Sequence, residues 1–153
     1  MKVLFLCTGN SARSQIAEVL LREAGGDRFK VASAGTDPQG VHPLTVAALG
    51  EAGIDARGMV SKHLDRYVDE PWDYVITVCD RAAESCPVFP GAAERLHWSI
   101  LDPAAASGSN EARRAAFRGA LDDLRVRVGR LIERRRSPAV EGGHASELGR
   151  GCA

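Results

Sequence analysis

A chain of 153 residues, 44% apolar and 26% charged, carries enough material for one domain with its own core. A formal net charge of zero offers no basic surface to nucleic acid or an anionic membrane, and no apolar run approaches the roughly 20 residues that span a bilayer. No secretory leader is read before the first apolar run, so the expected compartment is the cytoplasm, where four cysteines stay reduced and serve chemistry rather than stapling.

The elements follow in chain order. Residues 3–6 (V-L-F-L) form a short buried strand that ends on Cys7. A tight loop follows, and a helix begins near residues 12–14 and stops at Gly25 and Gly26. Residues 29–34 read as a second strand closed by Gly35, and residues 42–52 as a helix with Pro43 in its first turn. Residues 54–60 connect to a short helix expected over 61–67. A third strand over 73–78 ends directly on Cys79, and 80–86 reads as a short helix or turn closed by Pro87. A fourth strand is expected over 95–100. The longest helix, 111–135, spaces Phe117, Leu121, Leu124, Val128 and Leu131 along one apolar face. Continuous apolar strands alternating with helices imply an α/β sandwich around a four-stranded parallel sheet. Residues 1–136 are expected to form one domain and 137–153, rich in Gly, Glu and Ser without periodicity, a mobile tail.

The loop after the first strand opens with a thiol, Cys7, and closes with a guanidinium, Arg13. It lies between a buried strand and a helix N-terminus, where unpartnered backbone N–H groups and the helix dipole favour an anion. Gly9 and Asn10 tolerate left-handed backbone, so the loop can turn its amides inward. Arg13 offers a bidentate fork to an oxyanion, and Ser11 and Ser14 offer hydroxyls. Together these groups are expected to pull the Cys7 thiol below its ordinary value of ~8.5 and make it a nucleophile. The competing reading is a buried cysteine at a strand end with a surface arginine.

The run V-L-F-L-C-T-G-N-S-A-R-S-Q-I-A-E resembles the phosphate-binding loop of the low-molecular-weight protein tyrosine phosphatases and of the arsenate reductases that share their fold. The resemblance continues through S-A-G-T at 33–36, V-I-T-V-C-D at 75–80, C-P at 86–87, H-W at 97–98 and D-P-A at 102–104. It implies a three-layer α/β sandwich with a central parallel sheet. It also implies an oxyanion loop of Thr8, Gly9, Asn10, Ser11, Ala12, Arg13 and Ser14, with Cys7 as nucleophile, Arg13 as oxyanion ligand and Asp102 as general acid. By itself, an Asp-Pro pair reads only as a turn opener.

The extra thiols separate the two branches. A phosphatase needs one nucleophile and water, whereas a reductase must deliver two electrons, which two thiols supply on becoming a disulfide. Cys7 and Cys79 each follow a strand. If those strands are neighbours, both thiols lie at the carboxyl edge where parallel-sheet sites form. Cys79-x6-Cys86 resembles the redox pair of the thioredoxin-coupled arsenate reductases, which implies a relay from Cys7 to Cys79 to Cys86 with thioredoxin as reductant. Mycothiol, bacillithiol or glutaredoxin stand as other reductants. Seven helical residues span about 10.5 Å, beyond the roughly 4.4–6.8 Å between disulfide Cα atoms, so residues 79–86 are expected to rearrange on oxidation. Ala104, where the phosphatases carry an aromatic residue after Asp-Pro, favours a small inorganic anion (arsenate, with phosphate or sulfate as analogues) over an aryl phosphate.

Some relatives hold a potassium ion near the loop. Asn10, Glu18 and Ser33 match its expected positions, and Lys62 falls where a carboxylate would complete the set, so its ammonium is expected to replace the cation. No required metal or cofactor is therefore expected, and a monomer is. A zinc site of Cys79 and Cys86 with His97 or His63 lacks C-x2-C spacing. Two other functions remain open at this point: a phosphomonoesterase with Cys79 and Cys86 as redox protection, and a redox-sensing binding protein. Cys152 is given no catalytic part.

Overall fold

Strand β1, Lys2–Cys7, is buried at every residue from Val3 onward, as expected of a strand covered on both faces. In the computed structural model, which describes residues 1–80, 82 and 91–136 (the last by its backbone alone), β1 is one of two central strands. Helix α1 spans Arg13–Gly25, β2 Lys30–Gly35, α2 Pro43–Glu51, β3 Trp72–Thr77, β4 Ala92–His97 and α3 Asn110–Arg136. All pairings are parallel, in the order β2-β1-β3-β4.

Alternation along the strands divides the core in two. Val3, Phe5 and Cys7, with Tyr74, Ile76 and Val78, face the helices and pack with Ile16, Leu20, Phe117, Leu124 and Leu131. Leu4, Leu6 and Val75 face the other way, onto Leu64 and Trp72. The sheet thus lies between a helical layer and a thinner layer built from the 3-10 turn Leu64–Arg66 and its flanks. The apolar stripe of α3 is buried at the expected spacing.

Two elements differ from the sequence reading by more than a residue at an end. The helix expected over 61–67 is only the turn Leu64–Arg66, started by His63, whose Nδ1 accepts the Asp65 N–H. The fourth strand begins and ends three residues earlier than expected, because Ala92 pairs with Trp72 and His97 with Thr77. Trp98 N–H still bonds the Thr77 carbonyl at 2.8 Å, and beyond it the chain leaves the sheet and brings the Ile100 carbonyl and Asp102 to Arg13. The expected 80–86 segment, Cys86 included, and the expected tail with Cys152 lie outside the described residues apart from Asp80 and Ala82.

Candidate active site

The strand order reverses direction between β1 and β3, and the carboxyl ends of those two strands form the crevice where open α/β sheets bind ligands. Leu6 pairs with Thr77, so Cys7, the last residue of β1, and Cys79, two residues beyond Thr77, reach the same edge. Both are free thiols, both are buried, and both line one cavity of about 630 Å³. Thr8, Arg13, Asp37, Asp80, Ser99 and Asp102 share that lining.

Residues 8–12 are held with their carbonyls turned away from the cavity. The Thr8 carbonyl accepts from the Asp37 N–H at 2.9 Å, Gly9 from Gln39 N–H at 2.9 Å, Ser11 from His42 N–H at 3.0 Å, and Ala12 from Ile16 N–H at 2.8 Å. The Asn10 carbonyl accepts from Gln15 Nε2 at 3.1 Å and Ser61 Oγ at 2.9 Å, and Thr45 Oγ1 donates to the Ser11 carbonyl at 2.8 Å. In a trans peptide the N–H points opposite to the carbonyl, and no peptide bond of the described residues is cis. Fixing five carbonyls outward therefore aims the N–H groups of residues 9–13 into the loop. Asn10 takes φ 47, the left-handed region that asparagine tolerates. Ala12 precedes α1 with no side-chain cap, so the helix start also leaves its donors to the site. Gly35 is needed beneath: a Cβ there would sit 2.4 Å from the Thr8 carbonyl oxygen.

The electrostatics of Cys7 correct one expectation. Burial pushes its thiol up, not down; the Ser14 hydroxyl and the backbone N–H groups of Ser14 and Asn10 pull the other way, and neighbouring Cys79 adds to the rise. Arg13 does not offset that burial. Its Nη1 donates to the Ile100 carbonyl at 2.9 Å and its Nη2 lies 3.7 Å from Asp102 Oδ2. Ser14 Oγ lies 2.8 Å from the Cys7 sulfur and accepts from Asn10 Nδ2 at 2.8 Å, so its own proton is free to turn to the sulfur when the thiol is ionised. Asp102 sits half-exposed at the mouth, its Oδ1 accepting the Ala104 N–H at 3.0 Å.

Cys79 is positioned by two contacts. Its sulfur is 3.5 Å from Thr8 Oγ1 and accepts the Ala82 N–H at 3.4 Å. Beneath the loop, a buried polar chain links the site to the core. Asn10 Nδ2 donates to Ser33 Oγ at 2.9 Å, Ser33 donates to Glu18 at 2.6 Å, and Lys62 Nζ lies 3.6 Å from the same Glu18 oxygen. Lys62 Nζ also donates to the Val60 carbonyl at 2.9 Å, and Arg22 pairs with Glu18. These residues do not fit a potassium ion, because the ammonium of Lys62 already stands where the cation would meet Glu18. Burial lowers the Lys62 ammonium, and Glu18 opposes that shift. Among the described residues no group of three or more His, Cys, Asp or Glu is placed to hold a metal.

Several supporting residues are invisible in the sequence. Gln15, Ser61 and Thr45 act on loop carbonyls; Gln15 lies within the loop motif but with no role assigned from sequence, and Thr45 and Ser61 lie 34 and 51 residues from the carbonyls they reach. Asp80 and His97 both fall in stretches of resemblance, but nothing in the sequence signals the contact between them.

This fold and loop define a class, and comparison with known proteins supplies its family. The model of the low molecular weight phosphotyrosine protein phosphatase family matches residues 2–138, so the chain belongs to that family. Within it, the chain is 41% identical over 131 residues to a Halalkalibacterium halodurans protein named arsenate reductase, covering 86% of this chain and 94% of that one. A solved structure described as an arsenate reductase in the phosphate-binding state superposes with a TM-score of 0.75 at 30% identity, over 87% of this chain and 97% of the other. The Corynebacterium glutamicum thioredoxin-dependent arsenate reductase gives 0.68 at 28% identity, over 88% of this chain and 61% of that one.

Proposed function

We propose that this chain reduces arsenate to arsenite by a three-thiol relay regenerated by thioredoxin. One observation carries the reading: two free thiols, Cys7 and Cys79, line a single oxyanion cavity at adjoining strand ends. Hydrolysis of a phosphate ester has no use for the second. The names of the relatives support the same substrate, and the thioredoxin dependence of the C. glutamicum enzyme supports the reductant.

In this mechanism the inward amides and Arg13 bind arsenate against the Cys7 sulfur. A buried neutral thiol meeting a hydrogen arsenate dianion carries the same protons as a thiolate meeting the monoanion, so substrate binding gives the Cys7 proton a destination. Cys7 attacks arsenic as Asp102 protonates the departing oxygen, which leaves as water. Cys79 then attacks the Cys7 sulfur. A sulfur–sulfur bond forms, the sulfur–arsenic bond breaks, and its electron pair stays on arsenic, which falls from As(V) to As(III). Dihydrogen arsenate and two thiols thus become a disulfide, dihydrogen arsenite and water. Cys86 attacks Cys79 in turn, frees Cys7, and leaves a Cys79–Cys86 disulfide for thioredoxin. We assign this work to a single domain, residues 1–136, acting as a monomer in the reducing cytoplasm, with 137–153 as a tail outside the chemistry.

The test is a single exposure to arsenate without reductant, followed by mass spectrometry. The expected product is two hydrogens lighter, with Cys79 linked to Cys86 and one arsenite released per chain. Fully free thiols beside unconverted arsenate would overturn the reading. The family's phosphatase chemistry favours a weak side activity on aryl phosphates, because Cys7, Arg13 and Asp102 suffice for it; Cys86→Ser should spare that activity and abolish multiple-turnover arsenate reduction.

A further inference from the structure

The second thiol is followed by an acidic side chain that reaches back to the sheet. Asp80 Oδ1 lies 2.7 Å from His97 Nε2, and His97 Nδ1 lies 2.7 Å from Thr77 Oγ1. Thr77 is the last residue of β3, fully buried, and its hydroxyl also reaches the Leu96 carbonyl at 3.4 Å. His97 is the last residue of β4 and the register partner of Thr77. A three-member chain therefore crosses the ends of β3 and β4 and grips the residue directly after Cys79. Ser99 adds a hydrogen bond to the same carboxylate.

An exposed aspartate needs no partner to be stable, so this arrangement calls for another use. Both protonation states of the imidazole keep the grip. Neutral His97 donates from Nε2 to Asp80 and accepts the Thr77 hydroxyl proton at Nδ1; charged His97 donates from both nitrogens while Thr77 turns its proton to Leu96. The grip fixes the backbone at residues 79–80, and Cys79 has to be fixed. Its sulfur must meet Cys7 in line with the sulfur–arsenic bond, and its other holds among the described residues are a 3.5 Å contact to Thr8 and one amide. Misplacing a reacting atom by about 1 Å can cost on the order of 100-fold in rate.

We propose that His97 is a positioning residue for the thiol exchange: by tying Asp80 to the end of β4 it holds Cys79 in attack geometry on Cys7. His97 does not line the cavity, while Asp80 does. The inference rests on the reductase reading. It deepens that reading by assigning the step in which the second sulfur displaces arsenic, with the bonds and electrons balanced as above.

The experiment uses the full chain in a Cys86→Ser, Cys152→Ser background, so that Cys7 and Cys79 alone can link. After arsenate is mixed in, the rate of Cys7–Cys79 disulfide formation is followed by rapid acid quench and mass spectrometry. Hydrolysis of p-nitrophenyl phosphate, which needs Cys7, Arg13 and Asp102 but no thiol exchange with Cys79, is measured beside it. His97→Phe should slow disulfide formation at least tenfold and leave aryl-phosphate hydrolysis within twofold. His97→Gln, whose amide N–H can still reach Asp80, should recover to within about threefold of the parent. Asp80→Ala, read on the disulfide rate alone, should slow that step as much as His97→Phe does, and the double variant should be no slower than either, since both cut one link. An unchanged disulfide rate in His97→Phe, equal slowing of both reactions, or additive losses in the double variant would overturn the inference. If the parent itself forms no Cys7–Cys79 link, the reductase reading falls and takes this inference with it; a parent that links normally beside an unaffected His97→Phe sinks the inference alone.

Discussion

Replacing Lys62 by methionine tests whether its ammonium serves as a built-in counter-cation beneath the oxyanion loop. Lys62 Nζ and Glu18 Oε1 are 3.6 Å apart, and both side chains are only 11% exposed. At that distance and an effective dielectric constant of 20, the attraction is worth about 4–5 kcal/mol before desolvation is subtracted. Burial of the ammonium offsets part of it, and Glu18 keeps its bonds to Ser33 and Arg22 after the change. The expected net loss is about 2 kcal/mol, smaller than the cost of stranding a wholly unpaired buried charge. Urea unfolding at pH 7.5, run in NaCl and in KCl at one ionic strength, measures it. The variant should regain about 1 kcal/mol in KCl, as a cation at a few times its Kd would return, while the parent should respond equally to both salts. The reasoning fails if the variant loses under about 0.5 kcal/mol, or if the parent gains as much from potassium as the variant does.

Four further outcomes follow from the site. In a Cys79→Ser background, alkylation of Cys7 by iodoacetamide should climb only above the ordinary thiol range, because burial raises its value in the ligand-free protein; a plateau already reached near pH 6 would contradict this. Since the folded value exceeds the unfolded one, the stability contributed by this thiol is complete at neutral pH and is lost as pH rises through the raised value, so urea midpoints should fall on the alkaline side. Gly35→Ala should cost about 2–3 kcal/mol and weaken phosphate binding at least tenfold by calorimetry, because the new methyl meets the carbonyl oxygens of Thr8 and Cys7 at 2.4 and 3.0 Å and those backbone atoms form the loop. Ser14→Ala removes the hydroxyl 2.8 Å from the Cys7 sulfur; the alkylation profile should move to still higher pH and aryl-phosphate turnover should fall by about 10- to 100-fold.

Much of this molecule is legible in the order of its residues. The apolar run 3–6 reads as a strand covered on both faces, and a glycine, an asparagine and an uncapped helix start directly after it suit an anion loop. Local chemistry suffices for such features, because each depends on neighbours a few positions away. The placement of Lys62 beside Glu18 is legible too, though only through resemblance to relatives, since 44 positions separate the two.

Tertiary structure decided the rest. That β1 and β3 are neighbours, which brings Cys7 and Cys79 into one cavity, is a fact of strand order and not of spacing. The loop's amides face inward because Asp37, Gln39, His42, Thr45 and Ser61 hold its carbonyls outward, and those partners come from three different segments. The Cys7 thiol goes the opposite way from expectation for a related reason: charge and dipole are written in the local sequence, but the burial that raises the thiol is set only when the rest of the chain packs around it. Desolvation is a property of the assembled interior, and no run of residues carries it alone.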